Sequence, residues 1–157
     1  MRRLPYSEGT WFAVPLRAGG YATGVVARMA PRGKIVLAYF FGPRRDAVPV
    51  LPEVEDLRAT DAIKCVRLGD LGMVNGEWPI IGASSGWVRK DWLVPSFFRR
   101  DPLSKRVWLV RYSDSDPSQV EQETLGSYEV GDLEEDSLCA RYLRCNFGFA
   151  PILRNNF

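Results

Sequence analysis

The 157-residue chain contains no histidine at all. That absence removes Ser-His-Asp and Cys-His nucleophilic catalysis, imidazole acid-base chemistry and every histidine-bearing zinc site. Cysteine is nearly as scarce. Cys65, Cys139 and Cys145 include no C-x-x-C pair, and three thiols are one short of a four-thiolate zinc site. An odd number of cysteines also argues against a disulfide framework, so reduced, buried thiols are expected. No run of eighteen apolar residues occurs, so no membrane-spanning helix is expected. The opening residues MRRLPYSEGTW have no apolar h-region, so they do not read as a signal peptide and the expected location is cytoplasmic. Internal repeats and low-complexity linkers are missing as well.

What is present belongs to a globular protein. Apolar residues make up 46% of the chain and charged residues 25%, and the five Trp, six Tyr and eight Phe exclude a disordered chain. One domain spanning residues 1–157 is expected, long enough to bury a core. The net charge of +2 conceals an uneven distribution. Residues 1–112 hold 18 Lys/Arg against 10 Asp/Glu, whereas residues 113–136 hold nine acids and no base. A basic body with one acidic belt concerns partners and orientation more than fold.

Strand signals dominate the first half. TWFAVPL (10–16), YATGVVARM (21–29) and KIVLAYFF (34–41) are rich in β-branched and aromatic residues, and short Gly-bearing loops separate them. They predict an antiparallel meander, with Pro15 at a strand end. In the third strand Ile35, Leu37, Tyr39 and Phe41 line one face and Val36, Ala38 and Phe40 the other. Both faces are apolar, which predicts a sheet curled on itself or covered by a second layer. GPRRDAVPVLPEVED (42–56) reads as a Pro-rich loop, AIKCVRL (62–68) as a fourth strand and RVWLVRY (106–112) as a late one. In DLEEDSLCARYLRC (132–145), helical spacing of Leu138, Tyr142 and Cys145 predicts a helix, with acids in its first turn and arginines in its last. NFGFAPIL offers a terminal strand. The fold class expected is α+β: one domain with a curled, mainly antiparallel, barrel-like sheet and one C-terminal helix.

The glycine-dense stretch GDLGMVNGEWPIIG (69–82) matches neither the G-x-x-x-x-G-K-[ST] phosphate loop nor the G-x-G-x-x-G fingerprint. It reads as scaffold. Asn75-Gly76 predicts a two-residue type I′ hairpin turn, Trp78 and Ile80 are expected in the core, and Pro79 places the returning strand at an edge. Gly69, Gly72 and Gly82 are expected to let the chain bend, and Asp70 either caps backbone N–H groups or faces a partner.

Among chemistry-bearing residues, the scattered carboxylates Asp46, Glu53, Glu55, Asp56, Asp70 and Glu77 form no specific pair, and DSDPSQ lacks a calcium-loop pattern. Basic pairs at Arg44-Arg45, Arg89-Lys90, Arg99-Arg100 and Lys105-Arg106 adjoin aromatics, as in some single-strand binders. The belt, with Val120, Leu125 and Tyr128 among its acids, suits docking to a basic protein partner.

GTWFAVPL, GGYATGVVAR, YFFGPR, GDLGMVNGEWPIIG, W-x-x-P-S-F at 92–97 and VRYSDSDP, in that order, resemble the immunity protein 26 family of bacterial polymorphic toxin systems. The resemblance runs from about residue 8 to residue 117. It implies an α+β protein, not an enzyme, that binds and neutralises a cognate toxin domain by steric blocking. It brings no catalytic residue, cofactor or metal. The toxin's identity is left open, with a nuclease one possibility. The alternatives are a small organophosphate-type hydrolase, a label some relatives carry, and a single-stranded nucleic-acid-binding module. Partner contacts are expected at Asp114, Asp116, Glu121, Glu123, Tyr128 and Glu129. Membrane and small-molecule partners are not expected.

Overall fold

The computed structural model describes residues 3–101 and 103–127. Five strands form the larger sheet: β1 (Thr10–Pro15), β2 (Tyr21–Met29), β3 (Ile35–Arg45), β4 (Lys64–Gly69) and β5 (Ile80–Ala83). They lie in the order β4-β3-β2-β1-β5, and every pairing is antiparallel. A second antiparallel sheet has the order β6-β7-β8, from β6 (Phe97–Arg100), β7 (Arg106–Tyr112) and β8 (Val120–Ser127).

The meander, the fourth strand and the late strand stand where the residue pattern puts them, with Pro15 at the end of β1. One boundary moves. β3 runs on through Pro43 to Arg45, because Arg45 still pairs with Tyr21 of β2, although β4 pairs only as far as Phe40. Pro43 falls where the register with β2 is irregular, between the Thr23–Phe41 and Tyr21–Arg45 pairs, a place that tolerates a missing ladder N–H.

The closed, barrel-like sheet is not found. Among the described residues β4 and β5 are the two edges of the larger sheet. β5 has only four residues and follows Pro79, so it extends the sheet beside β1 without reaching round to β4. The apolar character of both faces comes from two separate cores. On one face Phe12, Val14, Val26, Val36, Ala38, Phe40, Val66 and Leu68 are closed over by Tyr6, Met73 and Trp78. On the other, Trp11, Val25, Leu37, Tyr39, Phe41 and Cys65 are covered by Val54, Trp92 and the inner face of the second sheet, at Phe97, Val110 and Tyr112. The predicted helix at 132–145 and the NFGFAPIL strand lie outside the described residues.

The glycine-dense stretch is scaffold, but not the scaffold expected. Asn75-Gly76 does not make a type I′ hairpin, which requires positive φ at both residues. Asn75 has φ −87° and ends a one-turn helix, α1 (Leu71–Val74), and Gly76 at φ +77° takes the left-handed position beyond it. The Asn75 and Gly76 N–H groups return to the carbonyls of Leu71 (2.8 Å) and Met73 (3.3 Å). A helix end uses the same dipeptide for the same steric reason. Ile80 is also misplaced by the sequence reading: it is 38% exposed on the edge strand, and Trp78 alone fills the core.

Gly72 serves packing rather than bending. A Cβ there would lie 2.3 Å from the Trp78 indole. Trp78 stacks on Phe12 (centroids 5.9 Å apart, planes at 11°), and Phe12 meets Phe40 edge-on at 5.7 Å. Between those two rings lies Gly24 of β2, where a Cβ would be 2.8 Å from Phe12 and 2.9 Å from Phe40. The rings cover the bare backbone of the glycine between them. Asp70, at 5% exposure, accepts hydrogen bonds from the Tyr6 hydroxyl (2.6 Å) and the Lys34 N–H (2.9 Å). It therefore caps a backbone donor, though one 36 residues away, and pins the β2–β3 turn where Lys34 holds φ +74°. Burial, together with the hydrogen bond and charge of Asp70, pushes the Tyr6 hydroxyl well above the usual tyrosine range.

Gly72→Ala is expected to destabilise the protein by about 3 kcal/mol in urea unfolding, because the buried indole cannot move aside. Gly76→Ala meets open space and carries only the left-handed backbone cost of about 1–2 kcal/mol. Equal losses in the two variants would contradict this packing role.

Candidate partner-binding site

An arginine stands in the apolar strand YATGVVARM, and its side chain keeps only 3% of its exposure. A guanidinium so placed needs acceptors on every side. Arg28 donates from Nη1 to the Ala27 carbonyl (2.7 Å), from Nη2 to the Arg89 carbonyl (3.4 Å) and from Nε to Asp114 Oδ1 (2.9 Å). Arg89 converges on the same carboxylate. Its Nη1 and Nη2 donate to Asp114 Oδ2 and to the Asp114 carbonyl, while its Nε donates to Glu8 Oε2 at 2.9 Å. Four separate pieces of chain meet here: the segment before β1, strand β2, the 3-10 turn Arg89–Asp91 and the connection after β7. The Arg89 hydrogen bond, reinforced by Arg28 and opposed by partial burial, holds the Asp114 carboxyl below its ordinary 3.8. The same contact, with Glu8 adding to it, raises Arg89.

The acidic belt thus divides by task. Asp114, first of the predicted contact residues, is committed to this internal network. Asp116 is committed locally, accepting from the Ser118 N–H (3.0 Å) and hydroxyl (2.6 Å) to shape the β7–β8 connection. Glu121 and Glu123 stand exposed on β8, opposite Arg111 and Leu109 of β7. Glu123 lies 3.8 Å from the Arg111 guanidinium, and Glu121 has no ion pair among the described residues. Val120 and Leu125 are exposed beside them. The outer edge of β8 pairs with no described strand. Tyr128 and Glu129 lie outside the described residues.

Glu8 and Arg28 were not singled out as functional by sequence reasoning, and Arg89 was read only as half of a basic pair suited to single-strand binding, whereas it is engaged by Glu8 and Asp114. The available signal was Arg28 itself, a cation in a strand apolar on both faces, which must find an anion. The belt supplied it.

Several of the cations that suggested nucleic-acid binding have partners within the protein. Arg44 lies 3.6 Å from Asp46 and Arg45 3.8 Å from Glu53. Arg99 stacks over Trp108 at 5.2 Å, and Arg67, outside those pairs, over Tyr112 at 5.1 Å. Burial pushes the Tyr112 hydroxyl up to about 12 against the opposing charges of Arg67 and Arg99. Among the described residues, no three Cys, Asp or Glu side chains are grouped to hold a metal ion, and no helix is long and apolar enough to cross a membrane.

Because the folded-state pKa of Asp114 is depressed, its contribution to stability is complete above the unfolded value of about 3.8 and fades as pH falls through the lower folded value. Asp114→Asn is expected to lose about 1–2 kcal/mol at pH 7, the range for a charged hydrogen bond on a carboxylate that keeps 59% exposure. Urea midpoints of the two proteins should converge as pH drops below 3.8. A gap that stays constant into strong acid would show that the carboxylate charge is not what the network uses.

Residues 7–109 match the family model described as Immunity protein 26. No curated protein and no solved structure matches the chain.

Proposed function

The chain belongs to the immunity protein 26 family, and from that premise we propose that it binds a cognate toxin domain and neutralises it by steric blocking, without turnover. The observation that carries the choice of surface is β8. It is an exposed edge strand bearing Glu121 and Glu123 between exposed Val120 and Leu125, on a chain whose residues 1–112 carry 18 Lys/Arg against 10 Asp/Glu. An edge strand offers unpaired backbone groups, and its carboxylates give direction to the encounter. Asp114 and Asp116 set the shape of the connection leading into it, and Tyr128 and Glu129 follow directly in the sequence. The six residues therefore act as one docking element with distinct roles: Glu121, Glu123, Tyr128 and Glu129 make contact, and Asp114 and Asp116 hold the frame. A surface of this charge suits a toxin with a cationic substrate cleft, as nucleases have, and the site of action is the cytoplasm of the protected cell.

The test is co-expression with the toxin domain encoded beside it, joined to a binding measurement on the purified pair. Glu121→Lys/Glu123→Lys is expected to leave the unfolding midpoint within about 0.5 kcal/mol of the parent, as exposed positions do. It is expected to weaken binding at least about tenfold, to reduce the salt dependence of association and to abolish protection. Undiminished protection by that variant would remove β8 from the interface. Failure of the unaltered protein to bind or protect would remove the toxin-binding reading itself.

A further inference from the structure

The loop containing Glu55–Thr60 and the segment Ser84–Trp92 face each other across an open groove of about 980 Å³. Its aromatic wall is rigid. Trp87 stacks on Trp92 with centroids 4.9 Å apart and planes at 19°, and Trp92 meets Trp11, Tyr39 and Phe41 edge-on at 5.3–6.2 Å. The Tyr39 hydroxyl donates to the Leu93 carbonyl, and the Trp11 indole donates to Ser84 Oγ at 2.7 Å, so both ends of that segment are anchored. The 3-10 turn carrying Asp91 is held in turn by Arg89 through Glu8 and Asp114.

The groove's charge is unspent. Glu55, Asp56 and Asp91 line it against a single guanidinium, Arg58, and none of the three carboxylates has an ion pair among the described residues. Of the other described acids, Glu8, Asp46, Glu53, Asp114 and Glu123 have cationic partners and Asp61, Asp70, Asp101 and Asp116 accept hydrogen bonds within the protein, with Glu77 and Glu121 the exceptions. Two further features point to an occupant. The Trp87 Nε1–H is buried with no acceptor among the described residues, and Val88 lies 42% exposed on the rim. A buried donor without an acceptor is costly, so a shift of the Trp87 ring that brought its Nε1 within reach of a peptide carbonyl would be favourable.

A planar cation suits both halves of the lining. It stacks on an indole face and donates in pairs to carboxylates, which is the chemistry of arginine. We infer that this groove receives an arginine-bearing loop of the protein partner, as a second point of attachment apart from β8. The inference rests on the toxin-binding reading for the identity of the partner, but its chemistry is testable alone.

The probe is the peptide Ac-Gly-Arg-Gly-Arg-Gly-NH2 titrated into the full-length ¹⁵N-labelled protein, with the citrulline and glutamate versions as controls. The arginine peptide is expected to shift the amides of 55–60 and 84–92 and the Trp87 indole resonance. The citrulline version, which keeps the shape without the charge, should bind at least tenfold more weakly, and the glutamate version should not bind. Asp56→Asn/Asp91→Asn should reproduce the tenfold loss with an unchanged urea midpoint, and should weaken toxin binding by a similar factor. Shifts confined to 120–127, equal binding of the citrulline peptide, or no shift at millimolar peptide would each overturn the groove assignment. Those outcomes leave protection in the co-expression assay untouched, so the groove and the toxin-binding reading can fail separately. Full toxin affinity in the groove variant would also overturn the groove's place in the interface.

Discussion

Burying the guanidinium of Arg28 inside an apolar strand creates a requirement that nothing nearby in sequence can meet. Its neighbours on β2 are apolar, and the carboxylate that answers it belongs to Asp114, 86 residues later. That single demand draws the end of β7 back onto the middle strand of the larger sheet. It thereby seats Phe97, Val110 and Tyr112 over the second core. Arg89 then shares the same carboxylate and ties the aromatic segment 87–92 to Glu8 in the segment before β1. Ion pairs on a surface contribute little, but one with a buried member acts as a positioning device, since every misplaced arrangement strands a charge. The two sheets and the groove wall are all referred to this one contact.

The first half of the fold was legible because its strands are long, apolar and separated by glycine-rich turns. From Val36 to Phe41 both faces of β3 could be assigned correctly from alternation alone, while Ile35 at its start is only half-buried and joins neither core. The barrel was not legible. Apolar residues on both faces fit either a closed sheet or a covered one, and the covering layer comes from residues 97–112, whose pairing with the meander leaves no local trace. β8 went unread for a different reason. VEQETLGS has no apolar stripe, and only the ladder to β7 makes it a strand. Charged side chains are common on such an edge because they discourage unwanted pairing. Asn75-Gly76 failed as a hairpin signal since positive φ at the glycine serves a helix end equally well.

Of the candidate site, the acidity of the belt was visible and the division of labour within it was not. Whether a carboxylate faces a partner or holds the chain together depends on what lies opposite it in space. Asp114 and Glu121 are seven residues apart and chemically alike. The first meets a buried arginine, and the second meets solvent. The groove was invisible for the same reason: Asp56 and Asp91 converge only because the loops bearing them pack against Trp92.

The column of rings through the other core has a further consequence. It runs Trp78, Phe12, Phe40, with Gly72 against its outer face and Gly24 wedged between the last two rings. Each glycine is the empty half of a lock whose other half is an aromatic face. No position in the column can change size alone: a side chain gained at 24 must be matched by a smaller residue at 12 or 40, and one gained at 72 by a smaller residue at 78. Substitutions here must therefore travel in pairs across the sheet, between residues a dozen or more apart in sequence except at 72 and 78. The column is thus a register mark, recording which strands lie side by side.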